Sequence, residues 1–328
     1  MAELQAVRTG MATSDTGRRA RGIAGRKLGR HRVDNLQYLA MVAPAVLLFF
    51  VFNYLPIGGI VLAFKRFRYD LGILGSPWTG FDNFKFFFQS NDAWRITRNT
   101  LLMNAIFIVV GIVVSITFAV MMYELRSRSK VKVYQTIMLL PHFLSWVVVG
   151  YMTYAFFNPY YGILNRVMTA FGVTPINVYM RPELWPFILT VLHVWKHGGM
   201  GLLVYFAALM GMDKEYFEAA RIDGATKLQV IFKIMIPYLV PIMIILFILS
   251  LGRIFRADFG LFYEIPRQQS LLYETTDVID TYVFRALRQH GDIGLSAAVG
   301  LFQSIVGFFT ILGANLFVRR IDPEYGLF

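Results

Sequence analysis

Residues 211–237 read GMDKEYFEAARIDGATKLQVIFKIMIP, a polar stretch between two long apolar segments. The pattern predicts two short helices joined by a turn. Asp213 can cap the first helix, and Asp223–Gly224 supplies a turn in which glycine can take a positive φ. The second helix has apolar residues at helical spacing and is expected to end before Pro237. Such a hairpin presents a charged edge and an apolar face.

The apolar segments on either side of this stretch indicate a bilayer as the solvent. Of the 328 residues, 56% are hydrophobic and 16% charged, and the mean hydropathy is +0.54. Six segments are long enough to cross about 30 Å of hydrocarbon as helices. They run over Leu39–Phe64, Leu101–Tyr123, Tyr134–Phe157, Leu184–Met210, Leu239–Phe255 and Leu295–Val318. Because a spanning segment must satisfy its own backbone hydrogen bonds, we predict an all-α membrane protein with a six-helix transmembrane bundle.

Two of these spans are expected to be irregular. Pro237 and Pro241 lie beside the short fifth span and predict a bent entry into the membrane. Pro141–His142 in the third span predicts a kink, and the carbonyl that the kink frees needs another partner.

The basic N-terminal residues set the expected orientation. Eight of the 32 Lys and Arg residues lie in the first 32 positions, before the first span. We therefore interpret the net charge of +12 as membrane orientation, with no nucleic-acid partner. Residues 1–35 are predicted to form a flexible cytoplasmic tail and residues 36–328 a six-span domain with both termini in the cytoplasm. Lys65, Arg66 and Arg68 oppose this topology, and the larger tail is taken to outweigh them.

Several function classes lack the residues that they need. The sequence contains no Gly-x-x-x-x-Gly-Lys-Ser/Thr phosphate loop, so ATP hydrolysis would have to occur on another subunit. No Asp or Glu lies within the six predicted spans, which disfavours a proton relay. There is no cysteine, and no nucleophile, base and orienting group occur together. We therefore predict a transport subunit that is not an enzyme, with no catalytic residues and no cofactor of its own.

The polar stretch matches a spaced motif. Glu218-Ala219-Ala220 is followed after three residues by Gly224, and nine residues later by Ile234-Met235-Ile236-Pro237. This resembles the loop of binding-protein-dependent ABC importer permeases of type I, from which it departs at Ile236, where that family has leucine. The resemblance implies that the loop at 211–238 forms a coupling helix seated in a groove of an ATPase subunit. An amphipathic loop lying on the bilayer surface is the alternative.

The resemblance also implies residue roles within this loop. Glu218 would make the polar contact to the ATPase, and Ala219 and Ala220 would allow close approach. Gly224, with Asp223 before it, would permit the turn. Pro237 closes the motif.

The resemblance extends over residues 36–328. Several stretches resemble carbohydrate importer permeases of the poly- and oligosaccharide subgroup, including alginate oligosaccharide importers. They are Trp195-Lys196, Gly199, Gly201 and the segments 205–209, 277–285, 315–320 and 324–328. This implies a multi-pass protein of the bacterial inner membrane. Its implied partners are a second homologous permease, two ATPase subunits that bind ATP and Mg²⁺, and an extracytoplasmic sugar-binding protein.

Polar residues in the fourth span are candidates for a substrate passage. Lys196 lies near mid-span, where an unpaired charge costs at least about 2.5–3.5 kcal/mol. His193 and His197 lie one helical turn apart beside it. They could line a sugar passage, or Lys196 could pair with the second permease. No metal site is predicted, because histidine ligands need a neighbouring carboxylate or a third ligand.

Arginine and aromatic residues complete the predicted passage. Arg253 and Arg256 lie at the outer end of the fifth span, and their geometry suits carboxylates, so an acidic, uronate-like sugar is a hypothesis. Snorkelling to the interface is the alternative. Aromatic rings offer flat faces to sugars, although most are expected to serve packing. The aromatic candidates are Trp146, Tyr151, Tyr154 and Trp195.

These observations predict the permease subunit of an ATP-driven oligosaccharide importer. A gradient-driven secondary transporter or channel is the alternative, and a membrane-embedded enzyme or scaffold is a third.

Overall fold

The computed structural model describes residues 37–125 and 127–321. The predicted tail at 1–35 lies outside these residues, as does the C-terminal end of the resemblance after residue 321. The described part is helical, and its one β-type contact is an isolated bridge between Lys65 and Trp78. The described residues fall into two units, which divide between Ile60 and Val61. The predicted all-α class is confirmed.

Ten of the helices are numbered in chain order. They are α1 (Gln37–Phe64), α2 (Asn91–Tyr123), α3 (Arg128–Leu139), α4 (Trp146–Phe157), α5 (Trp185–Met210), α6 (Lys214–Ile222), α7 (Lys227–Leu251), α8 (Phe259–Glu264), α9 (Ile279–His290) and α10 (Ile293–Ile321). Further helices run over Gly72–Gly75, Asp82–Gln89, Ile163–Ala170 and Tyr273–Thr276, and short 3-10 turns over Val178–Met180, Pro182–Leu184 and Ser270–Leu272. Among the described residues, α1, α2, α5, α7 and α10 are each long and apolar enough to span a bilayer.

The third predicted span is broken rather than continuous. A 3-10 turn at Leu140–Phe143 separates α3 from α4, and the two arms meet at 95°. Pro141 cannot donate a backbone hydrogen bond, and Ser145 caps the new helix by accepting from the Val148 amide at 3.3 Å. The predicted kink at Pro141–His142 is thus a sharp bend. The described residues hold five spans, or six if the bent pair is one span.

The fifth span begins earlier than predicted. α7 runs unbroken from Lys227 through Pro237, so the expectation of a helix that ends before this proline is wrong. A π-helical turn at Ile231–Met235 precedes Pro237, which lies in the first turn of the α-helical part, and Pro241 lies inside it. The wider π turn accommodates a residue that lacks an amide hydrogen. The second helix of the hairpin and the fifth span are one element.

Close helix packing around α5 positions the polar groups described below. α5 crosses both α2 and α3 in the core of the second unit. A Cβ at Gly199 would clash with the Met138 carbonyl on α3, and one at Gly201 would clash with Ser115 on α2. Small residues at both positions let the helix backbones approach each other.

Candidate functional site

The hairpin at residues 211–238 has the turn that its sequence predicts. Asp213 holds the N-cap position of α6 in an extended conformation, but its side chain makes no capping hydrogen bond. Gly224 follows α6 with a φ of +73°, a conformation that disfavours residues with a Cβ. The Ala225 amide then donates to the Ala220 carbonyl at 2.9 Å. This bond satisfies a carbonyl at the end of α6 and reverses the chain.

The start of α7 is capped, and the hairpin is anchored on one side. Thr226 and Gln229 form a reciprocal capping box at the start of α7. The Phe217 ring stacks on Tyr123 at the end of α2 with ring centroids 5.3 Å apart, and Lys227 Nζ lies 3.6 Å from a Glu124 carboxylate oxygen. These contacts hold the hairpin against the end of α2.

The opposite side of the hairpin is exposed and apolar. Glu218 and Ala219 are exposed, whereas Ala220 is buried against the chain. The same hairpin carries four large apolar side chains that are more than half exposed, namely Tyr216, Ile222, Leu228 and Phe232. Exposed apolar patches of this kind mark contact surfaces.

A cavity of about 520 Å³ lies between α2, α5, α7 and the turn after α7. Most of its wall is apolar, and we call it the polar cavity because several polar side chains also line it. Its volume is within the roughly 300–1,000 Å³ of small-molecule sites. The polar residues that line it are Asn104, Ser115, His193, Tyr205, Ser250, Arg253 and Arg256, and no Asp or Glu is among its described lining residues. A larger groove of about 820 Å³, lined by α2, α3 and α5, has mainly apolar walls and offers few hydrogen-bond partners for a polar substrate.

The turn that carries the two arginines is held by α2. Asn104 Nδ2 donates to the Ile254 carbonyl at 2.8 Å and to the Arg256 carbonyl at 3.2 Å. Arg253 and Arg256 are exposed and line the cavity, and neither forms an ion pair within the described part of the chain. The turn therefore presents two guanidinium groups beside the polar cavity, and the Asp280 carboxylate interacts electrostatically with that of Arg256.

Lys196 is buried and is paired with backbone carbonyls of the bend between α3 and α4. Its Nζ donates to the His142 carbonyl at 3.0 Å, to the Leu144 carbonyl, and at 3.5 Å to the Pro141 carbonyl. All three carbonyls belong to the bend, and that of Pro141 also accepts from the Leu144 amide at 3.2 Å. Lys196 is not among the cavity-lining residues, and its place in a passage stays a prediction.

A second polar group joins α5 to the start of α8. His197 Nε2 lies 3.3 Å from Asp258 Oδ2, which also accepts a hydrogen bond from Trp146 Nε1 at 2.9 Å. Burial raises the pKa of Asp258, but hydrogen bonds from His197, the Leu261 amide and Trp146 outweigh burial, so the pKa lies below its ordinary value. The structure thus supplies a carboxylate beside the histidines.

The remaining predicted passage residues lie elsewhere. Trp195 lines the apolar groove. Tyr151 and Tyr154 contact the Arg267 guanidinium, whose carbon lies 5.9 Å and 4.1 Å from the two ring centroids. His193, Arg253 and Arg256 are the predicted residues that line the polar cavity.

Sequence reasoning missed three residues of this region. Asn104 is a polar residue within the apolar second span, and this position could have identified it as a candidate. Asp258 and Arg267 lie outside the predicted spans, and no signal in their local sequence places them beside His197 or the tyrosines.

The chain is similar to known transport proteins over most of its length. Residues 111–323 match the family described as the inner membrane component of binding-protein-dependent transport systems. Protein LplB of Bacillus subtilis is 33% identical over 90% of this chain and 92% of its own. The polygalacturonan/rhamnogalacturonan transport system permease protein YteP of the same organism is 30% identical over 87% and 88%.

Two solved structures share the fold. A bacterial ABC transporter involved in the import of the acidic polysaccharide alginate matches with a TM-score of 0.81 and 33% identity, over 90% of this chain and 99% of that one. A bacterial alginate ABC transporter in complex with an alginate pentasaccharide-bound periplasmic protein matches with a TM-score of 0.79 and 33% identity, over 88% and 96%. The chain belongs to the family of inner membrane components of binding-protein-dependent transport systems, and it is a multi-pass permease subunit of an ABC importer.

Proposed function

We propose that this permease passes an acidic oligosaccharide, delivered by an extracytoplasmic binding protein, through the polar cavity. The observation that carries the proposal is the pair of arginines, Arg253 and Arg256, which line the cavity and form no ion pair with a described residue. The carboxylate that interacts electrostatically with Arg256, that of Asp280, is not among the lining residues. Guanidinium groups bind carboxylates by two parallel hydrogen bonds. The hydroxyl and amide groups of Asn104, Ser115 and Tyr205 can bind sugar hydroxyls.

The relatives support the same substrate class. Two structural neighbours come from importers of alginate, which is described as an acidic polysaccharide, and one of them is bound to a periplasmic protein that holds an alginate pentasaccharide. YteP is named for polygalacturonan and rhamnogalacturonan transport.

The exposed side of the hairpin at 211–238 is proposed as the ATPase contact. Its exposed apolar side chains lie on the same hairpin as Glu218 and would be buried by a partner, while the anchored side stays on α2. The full assembly then contains a second permease and two ATPase subunits that hold ATP and Mg²⁺. In this arrangement the termini face the cytoplasm, and movement of the ATPases is passed to α5 and α7, between which the hairpin lies.

Uptake of matched sugars tests the proposal. The chain is reconstituted with its copurifying subunits and the binding protein in liposomes, and uptake of a uronate oligomer is compared with that of a neutral oligomer of equal length. ATP-dependent uptake of the acidic sugar is expected. The Arg253→Ala/Arg256→Ala variant should lose at least about tenfold in acidic uptake, because a hydrogen bond to a charged group contributes about 1.5–3 kcal/mol.

Arg181→Ala is the matched control, since Arg181 is exposed and lies outside the cavity lining. Its acidic uptake should match the wild type. Unchanged acidic uptake in the double variant would reject the acidic-substrate proposal, and uptake without ATP would reject the importer mechanism.

A further inference from the structure

Three side chains from two distant parts of the chain meet beside the polar cavity. His193 and His197 lie one turn apart on α5 with ring centroids 4.7 Å apart. Asp258, 61 residues beyond His197, is the N-cap residue of α8. One donor atom from each of the three lies within 4.8 Å of the others, and all three side chains are partly buried. The arrangement brings two imidazoles and one carboxylate to a single point.

The carboxylate of Asp258 is held in a fixed orientation. Oδ1 accepts from the Leu261 amide at 3.4 Å, while Oδ2 accepts from the Trp146 indole and lies beside His197. Metal-ligating carboxylates and imidazoles in proteins are oriented by such outer hydrogen bonds. Trp146 therefore acts as a positioning residue, because its indole N–H orients the Asp258 carboxylate.

Asp277 shows what a purely structural buried carboxylate looks like in the same fold. Its Oδ2 lies 3.1 Å from Arg95 and 2.7 Å from Arg285, so two permanent cations compensate its charge. Asp258 instead pairs with a titratable histidine and has no Lys or Arg ion-pair partner in the described ranges. The nearby Lys196 ammonium is occupied by the carbonyls of His142 and Leu144.

A ring nitrogen of His193 without a hydrogen-bond partner in the described part of the chain also supports a bound ligand. His193 Nδ1 is buried and has no hydrogen-bond partner among the described residues. Its ring stacks on Phe107 with centroids 4.0 Å apart, and this contact limits how the imidazole can turn. A buried nitrogen without a partner costs free energy, and a bound cation would satisfy it.

We propose that His193, His197 and Asp258 form a binding site for a divalent transition-metal ion of the zinc type. Bonds of about 2.0–2.1 Å to a tetrahedral zinc ion place two donors roughly 3.3–3.4 Å apart, and His197 Nε2 and Asp258 Oδ2 are 3.3 Å apart. The His193 donor atom lies within 4.8 Å of the other two, and a bound ion would draw it closer. Two nitrogens and one carboxylate oxygen suit zinc rather than Mg²⁺ or Ca²⁺, which prefer oxygen ligands.

Zinc binding by the purified complex tests the site without any transport assay. The full chain is purified in detergent with its copurifying subunits, treated with a chelator, and titrated with ZnCl2 by calorimetry. His193→Gln, His197→Gln and Asp258→Asn should each weaken one zinc site per chain by more than about tenfold, the lower limit for loss of an outer partner. CoCl2 should give the visible absorption of tetrahedral cobalt in the wild type alone.

Controls separate ligand loss from altered folding. Asp70→Asn removes an exposed carboxylate paired with Arg68, and zinc binding should be unchanged. The Asp258→Asn variant keeps a side-chain oxygen that can accept from the Leu261 amide but loses the acceptor for Trp146 Nε1, so without zinc it should unfold cooperatively at a slightly lower temperature than the wild type. Trp146→Phe should weaken zinc binding about tenfold by freeing the carboxylate. Equal zinc affinity in the wild type and the three ligand variants, or equal affinity for Mg²⁺, would overturn the proposal.

Discussion

The hairpin at 211–238 and the polar cavity are built in opposite ways. The hairpin is a continuous run of sequence whose cap, turn and apolar positions lie within a few residues of one another. The cavity takes its polar groups from α2, α5 and the turn after α7, which are far apart in sequence. The hairpin presents exposed apolar side chains, whereas the cavity presents charges and hydrogen-bond donors. A docking surface can be formed by one continuous segment, whereas a passage needs residues that are brought together from several helices.

Gly224→Pro should have the largest effect. Proline fixes φ near −65°, and Gly224 requires +73°. We expect ATP-dependent uptake to fall by more than about a hundredfold, because the turn that orients α6 on α7 cannot form, which corresponds to about 3 kcal/mol. Gly224→Ala should retain partial activity, since open space surrounds the position and only the φ is strained.

Lys214→Pro is the matched control for this variant. Lys214 is the first residue of α6, where the missing amide hydrogen has no helical partner in any case. It should insert and transport as the wild type does. An equal loss of ATP-dependent uptake in both proline variants would show that the hairpin tolerates no proline, and that the turn at Gly224 is not the critical feature.

Glu218→Lys tests the docking surface next. Glu218 is exposed and has no ion-pair partner in the described part of the chain, so the folded permease should tolerate the change. Charge reversal at an interface costs several kcal/mol, and copurification of ATPase subunits should fall at least tenfold. Glu274→Lys changes an exposed carboxylate outside the hairpin and should copurify normally. Normal copurification with Glu218→Lys would remove Glu218 from the contact.

Lys196→Met tests the packing beside the cavity. Methionine keeps the length of the side chain but leaves the His142 and Leu144 carbonyls unpaired. A buried unsatisfied group costs about 1–3 kcal/mol, so the temperature of thermal unfolding in detergent should fall by several degrees. Lys132→Met on α3 replaces an exposed lysine and should leave it unchanged. Equal unfolding temperatures in both variants would show that the bend does not need Lys196.

Asp280 should give the smallest effect, visible as a pH dependence. Burial raises the pKa of Asp280, although the Ala257 amide and Gln303 donate hydrogen bonds to it. Between the unfolded and the raised pKa, the folded state binds more protons, so stability falls as pH rises through that window. Asp280→Asn keeps an acceptor for both donors and cannot ionise. Thermal unfolding measured from roughly pH 4 to pH 6 should therefore show a flatter slope than the wild type.

Asp70→Asn, at an exposed ion pair, should retain the wild-type slope. A slope that Asp280→Asn leaves unaltered would place the titrating group elsewhere.

Parts of both regions could be predicted from residue types alone. The positive φ at Gly224 follows from a glycine after a short helix, and the break at Pro141 follows from a proline inside an apolar run. The passage of α7 through Pro237 could not be predicted, because a local proline rule does not include the π turn before it. His193, Arg253 and Arg256 were found as polar residues in or next to apolar segments, and they line one cavity.

The amino-acid sequence by itself determined the bilayer environment, the helical class and the hairpin, because these depend on apolar run length and on neighbouring residues. Only the tertiary structure decided that Lys196 reaches the carbonyls of the bend and that Asp258 reaches His197. Both contacts link residues more than fifty positions apart. They exist because Gly199 and Gly201 let α5 approach its neighbours and because the third span turns through 95°. Packing geometry of this kind arises from the whole fold, and no local pattern specifies it.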